Sequence, residues 1–192
     1  MMRILGIDPG LRCTGWGVIA VDGWRLQHFA NGAIQPKPTL DDASRLQIIF
    51  DGLCEVVALH QPNQAAIEQI FVAKSAGSAL RLGMARGVGI LACGVNRLGV
   101  GEISARAVKK AVAGTGNADK KQIQDMVTRL LAVTAQNADA ADALAIAIAA
   151  SNEAGTAASV GVELGKGQTT GGLSAAIAAA LARDDASNGG KT

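Results

Sequence analysis

The sequence predicts an α/β domain built on a five-stranded mixed sheet flanked by helices. Three observations carry that prediction. Three β-like segments open the chain in succession, joined by short turns, as in an antiparallel meander. Two later apolar strands each follow a helical pattern, the order that a crossover to a parallel neighbour needs. The 192 residues are 49% hydrophobic, supplied by Leu, Ile, Val and Ala because aromatics are only 3%, which is ample for one core.

Residues 3–8 alternate and end at the turn signal Pro9-Gly10. Residues 14–21 and 25–34 follow as two more strands, with Asp22-Gly23 as the hairpin turn. Thr39-Leu40-Asp41-Asp42 opens a helix in the manner of a capping box, its acids suiting the helix dipole. Leu46, Ile49, Phe50, Leu53 and Val57 then recur on one face until Pro62 stops the helix. Residues 65–70 form a short buried strand. Ser75 or Ser78 caps a second helix running to about Leu98, whose Gly83, Gly87 and Gly89 permit close approach by another backbone. Residues 100–103 make the fifth strand, and a short helix starts at Ser104. After the loop Gly114-Thr115-Gly116-Asn117, a helix capped by Asn117 buries Ile123, Met126, Val127, Leu130 and Leu131. An Ala-rich helix runs from Asn137 to about Ser151.

The folded domain is thus expected over residues 1–152. Beyond Asn152, Gly, Ser, Thr and Ala dominate, so 153–192 reads as a flexible tail: a linker over 153–173, a short helix over 174–183, and a disordered end over 187–192.

Composition narrows the function. No uninterrupted apolar stretch approaches a bilayer span, and the N-terminus lacks a signal-peptide layout, so a cytoplasmic protein without membrane contact is expected. Cys13, Cys54 and Cys93 are odd in number and widely spaced, which fits reduced thiols without metal or disulfide roles. His28 and His60 are too isolated for a His-based metal site. The net charge of +2 is unevenly spread: from Lys74 to Arg129, ten basic residues face only the three acids Glu102, Asp119 and Asp125. A basic middle is the footprint of a phosphate-backbone binder, although solvated helix faces account for some of these residues.

Four carboxylates stand in apolar or small-residue surroundings: Asp8, Glu68, Asp139 and Asp142. Such an acid is costly to desolvate unless something cationic or hydrogen-bonding compensates it. Asp8 could simply cap its turn, and Asp139 could be a first-turn helix acid. Glu68, inside Ala65-Ala66-Ile67-Glu68-Gln69-Ile70, has no ordinary structural duty. Asp139 and Asp142 lie three apart and share a helix face. An all-oxygen set without His or Cys suits Mg²⁺ or Mn²⁺ rather than zinc, and two such ions roughly 3.5–4 Å apart would support phosphodiester hydrolysis. A strand ending in Gly-x-Asp-x-Gly also opens actin-like ATPases, but that fold needs a second phosphate-facing hairpin and about twice this core. No Walker-type loop is present either.

Ile4-Leu5-Gly6-Ile7-Asp8-Pro9-Gly10, Ala66-Ile67-Glu68-Gln69-Ile70-Phe71, Ser78-Ala79-Leu80-Arg81-Leu82-Gly83 with Ala85-Arg86-Gly87, and Asp139-Ala140-Ala141-Asp142-Ala143-Leu144-Ala145 together resemble the RuvC Holliday-junction resolvases. The likeness runs in order from Arg3 to about Ser151. It implies an RNase H-like fold, a two-fold homodimer, and Mg²⁺-dependent symmetric nicking of four-way DNA junctions that leaves 5′-phosphate and 3′-hydroxyl ends. A branch-migration motor is the partner it implies. The catalytic, metal-holding acids fall on Asp8, Glu68, Asp139 and Asp142. Phe71 matches an aromatic that stacks on an unpaired base. Lys109 and Lys120 match basic residues near the scissile phosphate, and Lys74 and Arg81 are further expected DNA contacts. The helix from Ser78 to Leu98 is expected at the dimer interface. Ser75 stands where Asn is common and Met84 where Gln is common, while the Asp139 position is His in some relatives. A nuclease for flaps or RNA–DNA hybrids, and a non-catalytic structure-selective DNA binder, are the alternatives.

Overall fold

Period-two alternation in the strands sets which side chains meet which helical layer. A computed structural model describes residues 1–69 and 76–160, with 154–160 as backbone only. The elements run β1 (Met2–Asp8), β2 (Thr14–Asp22), β3 (Arg25–Ile34), α1 (Asp42–His60), β4 (Gln64–Gln69), α2 (Ala76–Val95), β5 (Val100–Ser104), α3 (Ala105–Ala113), α4 (Lys120–Leu131) and α5 (Ala138–Val160). The sheet order is β3-β2-β1-β4-β5. β1, β2 and β3 form the antiparallel meander, and β4 and β5 extend it in parallel from β1. Met1–Thr156 make one compact unit; of the second, Ala157–Thr192, only the end of α5 is described.

Apolar side chains pack on both faces of the sheet. Ile4, Ile19, Ala66 and Ile103 point toward α3, α4 and α5, where Val108, Ile123, Val127, Leu144 and Ile148 cover them. Leu5, Ile7, Val18 and Ile67 point the other way, onto Ile49 and Leu53 of α1 and Ala85 and Ala92 of α2.

Several boundaries differ from the sequence expectation. Asp41 caps α1, its carboxylate accepting from the Ser44 amide at 2.9 Å, so the helix starts after Thr39-Leu40. Asp119 rather than Asn117 caps α4, because Gln122 sits three residues on and closes a reciprocal capping box. Ser78 lies inside α2 rather than at its cap, and that helix ends at Val95. Asn137, the expected first residue of the Ala-rich helix, instead precedes α5 and caps it, its side chain accepting from the Ala140 amide at 2.8 Å. That helix continues to Val160, into the expected linker; the rest of the tail lies outside the described residues. Among the described residues, α2 alone is long and apolar enough by composition to cross a bilayer, though Arg81 and Arg86 interrupt it.

Candidate functional site

The parallel register pairs Ile7 with Ile67, so the next residues, Asp8 and Glu68, stand side by side near the carboxyl ends of adjacent strands. Two residues earlier on each strand, Gly6 lies against α5 and Ala66 packs in the α5 layer, so alternation turns both carboxylates to that face. The crevice beyond the carboxyl ends of parallel strands is the usual place for a site in such sheets.

Glycines bring the helix acids to this rim. A Cβ on Gly6 would collide with the Ala143 carbonyl and lie 2.7 Å from the Ala147 amide nitrogen. One on Gly15, which pairs with Asp8 across β1 and β2, would collide with the Asp139 carbonyl. The α5 backbone therefore rests directly on the sheet. Its first turn carries Asp139, and the following turn sets Asp142 on the same face. One carboxylate oxygen each from Asp8, Asp139 and Asp142 lies within 4.8 Å of the others. Glu68 falls outside that tightest trio. It lines a cleft of about 210 Å³ with Asp8, Asp142, Lys109 and Lys120.

The crowding is visible in the protonation of these acids. Burial first, then the charges of Asp142, Glu68 and Asp139, push Asp8 up to about 7. Burial and Asp142 raise Glu68, against the lowering effect of Lys120 and Lys109. Asp142 is also raised by burial, although Lys120 donates to its Oδ2 at 2.6 Å and draws it down. Burial outweighs the partner here because the Lys120 side chain is 61% exposed, so water screens its charge. In the pair, the Lys120 ammonium is held above its ordinary range by that hydrogen bond. Lys120 opens α4 beside the cap Asp119, and Lys109 projects from α3 into the same cleft.

A divalent cation fits this donor set. Hard carboxylate oxygens converge without nitrogen or sulfur among the trio, and their mutual repulsion is what a bound cation relieves. Cys13 stands next to the trio but stays a neutral thiol: burial and a hydrogen bond with Asp139 push it to about 11.

Arg81 does not line the cleft that holds Asp8, Glu68 and Asp142. It lines a second, larger groove of about 1020 Å³ with Arg12, Lys37, Arg45 and Asp139. Arg12 and Lys37 were not singled out by the sequence reading, which followed the basic stretch after residue 74; the signal available was Arg12's place in the turn just after Asp8. Phe71, Lys74 and Ser75 lie outside the described residues. Arg86, also unassigned, ties α2 to β4. Its Nε donates to the Glu68 carbonyl at 3.3 Å and its NH2 meets Glu102 at 2.7 Å.

The family model described as crossover junction endodeoxyribonuclease RuvC matches residues 4–150. A relative of that name from Zymomonas mobilis is 51% identical over 148 residues, 77% of this chain and 89% of the relative. Another from Burkholderia ambifaria is 49% identical over 178 residues, covering 92% and 93%. The solved structure of Thermus thermophilus RuvC in complex with a Holliday junction substrate superposes with a TM-score of 0.77 at 29% identity, over 81% of this chain and 96% of that one. The yeast mitochondrial Holliday junction resolvase, at 12% identity and a TM-score of 0.58 over 77% and 78%, shares the fold. The RNase H-like architecture expected from the sequence is thus observed, and the chain belongs to the RuvC family of crossover junction endodeoxyribonucleases.

Proposed function

We propose that this endonuclease resolves four-way DNA junctions by metal-dependent hydrolysis of two symmetry-related phosphodiesters, leaving 5′-phosphate and 3′-hydroxyl ends in recombination and repair. The observation that carries the reading is the convergence of Asp8, Asp139 and Asp142 within 4.8 Å beside Glu68, with two lysines facing them. Asp8, Glu68, Asp139 and Asp142 would hold Mg²⁺, with Mn²⁺ as a substitute and two ions per site. When bound, these ions supply Lewis-acid polarisation of the phosphate and an activated water. The chain's own groups do the rest. Lys109 and Lys120 flank the acids and offset charge that builds on the phosphate as the P–O3′ bond breaks. The ion pair to Asp142 keeps the Lys120 ammonium protonated and aimed at the site.

A two-fold dimer matches the need for two cuts. Leu80, Leu91 and Val95 of α2 are each more than half exposed, and the positions of Gly83, Gly87 and Gly94 open onto free space, so this apolar, small-residue face suits a second copy of the helix. The active unit falls within residues 1–152. A cytoplasmic location and a branch-migration motor as partner complete the reading. Phe71 would stack on an unpaired base and Lys74 would contact the backbone beside it.

The test is a substrate panel with Mg²⁺. The wild type is expected to nick junctions far faster than flaps or RNA–DNA hybrids, and Glu68→Gln to bind junctions without nicking them. Comparable cutting of hybrids and junctions removes the junction assignment. Cutting by Glu68→Gln removes the metal-site assignment.

A further inference from the structure

The larger groove holds three exposed cations that the carboxylate site does not use. Arg12 comes from the β1–β2 loop, Lys37 from the β3–α1 connection, and Arg81 from the first turns of α2, so three separate segments deliver positive charge to one cavity. None of the three forms an ion pair among the described residues. Arg45 is different. Its side chain is only 11% exposed, lies 3.6 Å from Asp42 and donates to the Leu11 carbonyl at 2.9 Å. Its role is to pin the loop that presents Arg12. Thr14, fully buried, ties the same loop from the other end by donating to the Gly10 carbonyl at 2.8 Å. Lys37 sits between Pro36 and Pro38, whose fixed φ angles hold the segment extended at little entropic cost. The cations are therefore held in place before any ligand arrives, which lowers the ordering cost of binding.

Among the described residues the single acid lining this groove is Asp139, which also belongs to the trio that would hold metal. Asp139 thus joins the groove to the carboxylate cluster, while Asp8 and Asp142 of the same cluster line the separate cleft with Lys109 and Lys120. Leu11, Pro36, Pro38 and Leu82 supply apolar wall between the charges. Like charges around a cavity with apolar walls repel one another and focus a positive potential, which an anionic polymer with apolar sugar faces satisfies.

We propose that this groove seats the DNA backbone running away from the scissile phosphate on the Asp139 side, with Arg12, Lys37 and Arg81 as phosphate contacts. Lys109 and Lys120 then serve the opposite side of the cut. The proposal rests on the junction-cleaving reading and extends it to the path of the strand. The backbone in the groove is either the continuing cleaved strand or its neighbour in the junction.

The test measures junction affinity of the full-length protein in metal-free buffer across a fourfold salt range. Each phosphate contact contributes a slope of about −0.9, or roughly 3.5-fold per fourfold change in salt. The triple variant Arg12→Gln, Lys37→Gln, Arg81→Gln should therefore be about 40-fold less salt-sensitive than wild type over that range. Arg25→Gln, at the far hairpin tip, serves as control, and the double variant Arg12→Lys, Arg81→Lys, which keeps all three charges, should retain most of the slope. A triple Gln variant with the wild-type slope overturns the proposal, as does an equal loss of slope in the double Lys variant. A second arm places neutral methylphosphonates beside the scissile phosphate, in the cleaved strand or in its neighbour. Substitution in the strand that occupies the groove weakens wild type but not the triple Gln variant. Equal weakening of both proteins by every substitution overturns the proposal. Failure of the wild type to bind or nick junctions would instead refute the underlying function.

Discussion

Replacing Asp8 by Asn should destroy cleavage and yet make the metal-free protein more stable. The carboxyl group is raised from 3.8 to about 7 by burial and by three neighbouring acids. At ~1.36 kcal/mol per unit, holding it ionised above neutral pH opposes folding by about 4 kcal/mol. Water entry and relaxation reduce this to about 2 kcal/mol in an effective dielectric well above that of dry protein. For a domain of this size the gain corresponds to about 4–8 °C in Tm. The folded-state value lies above the unfolded one, so the penalty is complete above about pH 7 and disappears as pH falls toward 3.8. The assay is thermal unfolding of wild type and Asp8→Asn in EDTA at pH 8 and pH 4.5, repeated at pH 8 with Mg²⁺. The variant should melt higher at pH 8 in EDTA, the gap should shrink at pH 4.5, and Mg²⁺ should stabilise wild type more than the variant. An Asp8→Asn protein that is no more stable than wild type at pH 8 in EDTA would refute the reasoning that these acids strain one another.

Three other perturbations test other links. Lys120→Met removes the 2.6 Å partner of Asp142 and a charge that lowers Asp8 and Glu68. All three acids then rise further, so the acidic limb of the rate–pH profile should move to higher pH, and the rate should fall by about 10²–10³, as when a charge-stabilising donor is lost. Gly15→Ala drives a methyl group into the Asp139 carbonyl, and because backbone cannot yield as a side chain does, destabilisation of about 3 kcal/mol or more is expected by denaturant titration. Arg86→Met leaves the Glu68 carbonyl and Glu102 without that partner, and the Mg²⁺ concentration for half-maximal cleavage should rise about 10-fold. An unchanged Mg²⁺ dependence would make Arg86 a packing residue only.

Turn chemistry made the strands legible: Pro9-Gly10 and Asp22-Gly23 punctuate the meander where the structure bends it. The acids were legible because each is an anomaly in an apolar segment, and an anomaly needs no third dimension to be noticed. Caps were less so. Asp41 and Asp119 compete with nearby Thr39 and Asn117, and the winner depends on whether Ser44 and Gln122 can close the bond. The second groove was hidden for a different reason. Arg12, Lys37 and Arg81 are distant in sequence, and only the packing of α1 and α2 against the sheet assembles them. Gly6 and Gly15 carry no side chain to advertise a role in the sequence, yet each is a contact surface. Expectations for Phe71 and Lys74 fall on residues beyond the described ones.

The seat of α5 on β1 and β2 acts as a mechanical stop. Main chain meets main chain there, so the separation of the strand acid from the helix acids is set by atomic radii and not by the shape of any side chain. Core residues farther along the helix, such as Ile148, can exchange volume with their neighbours while the carboxylate spacing holds. A drifting core and a fixed metal-binding geometry are thereby compatible in one domain. Their independence ends at the two glycines.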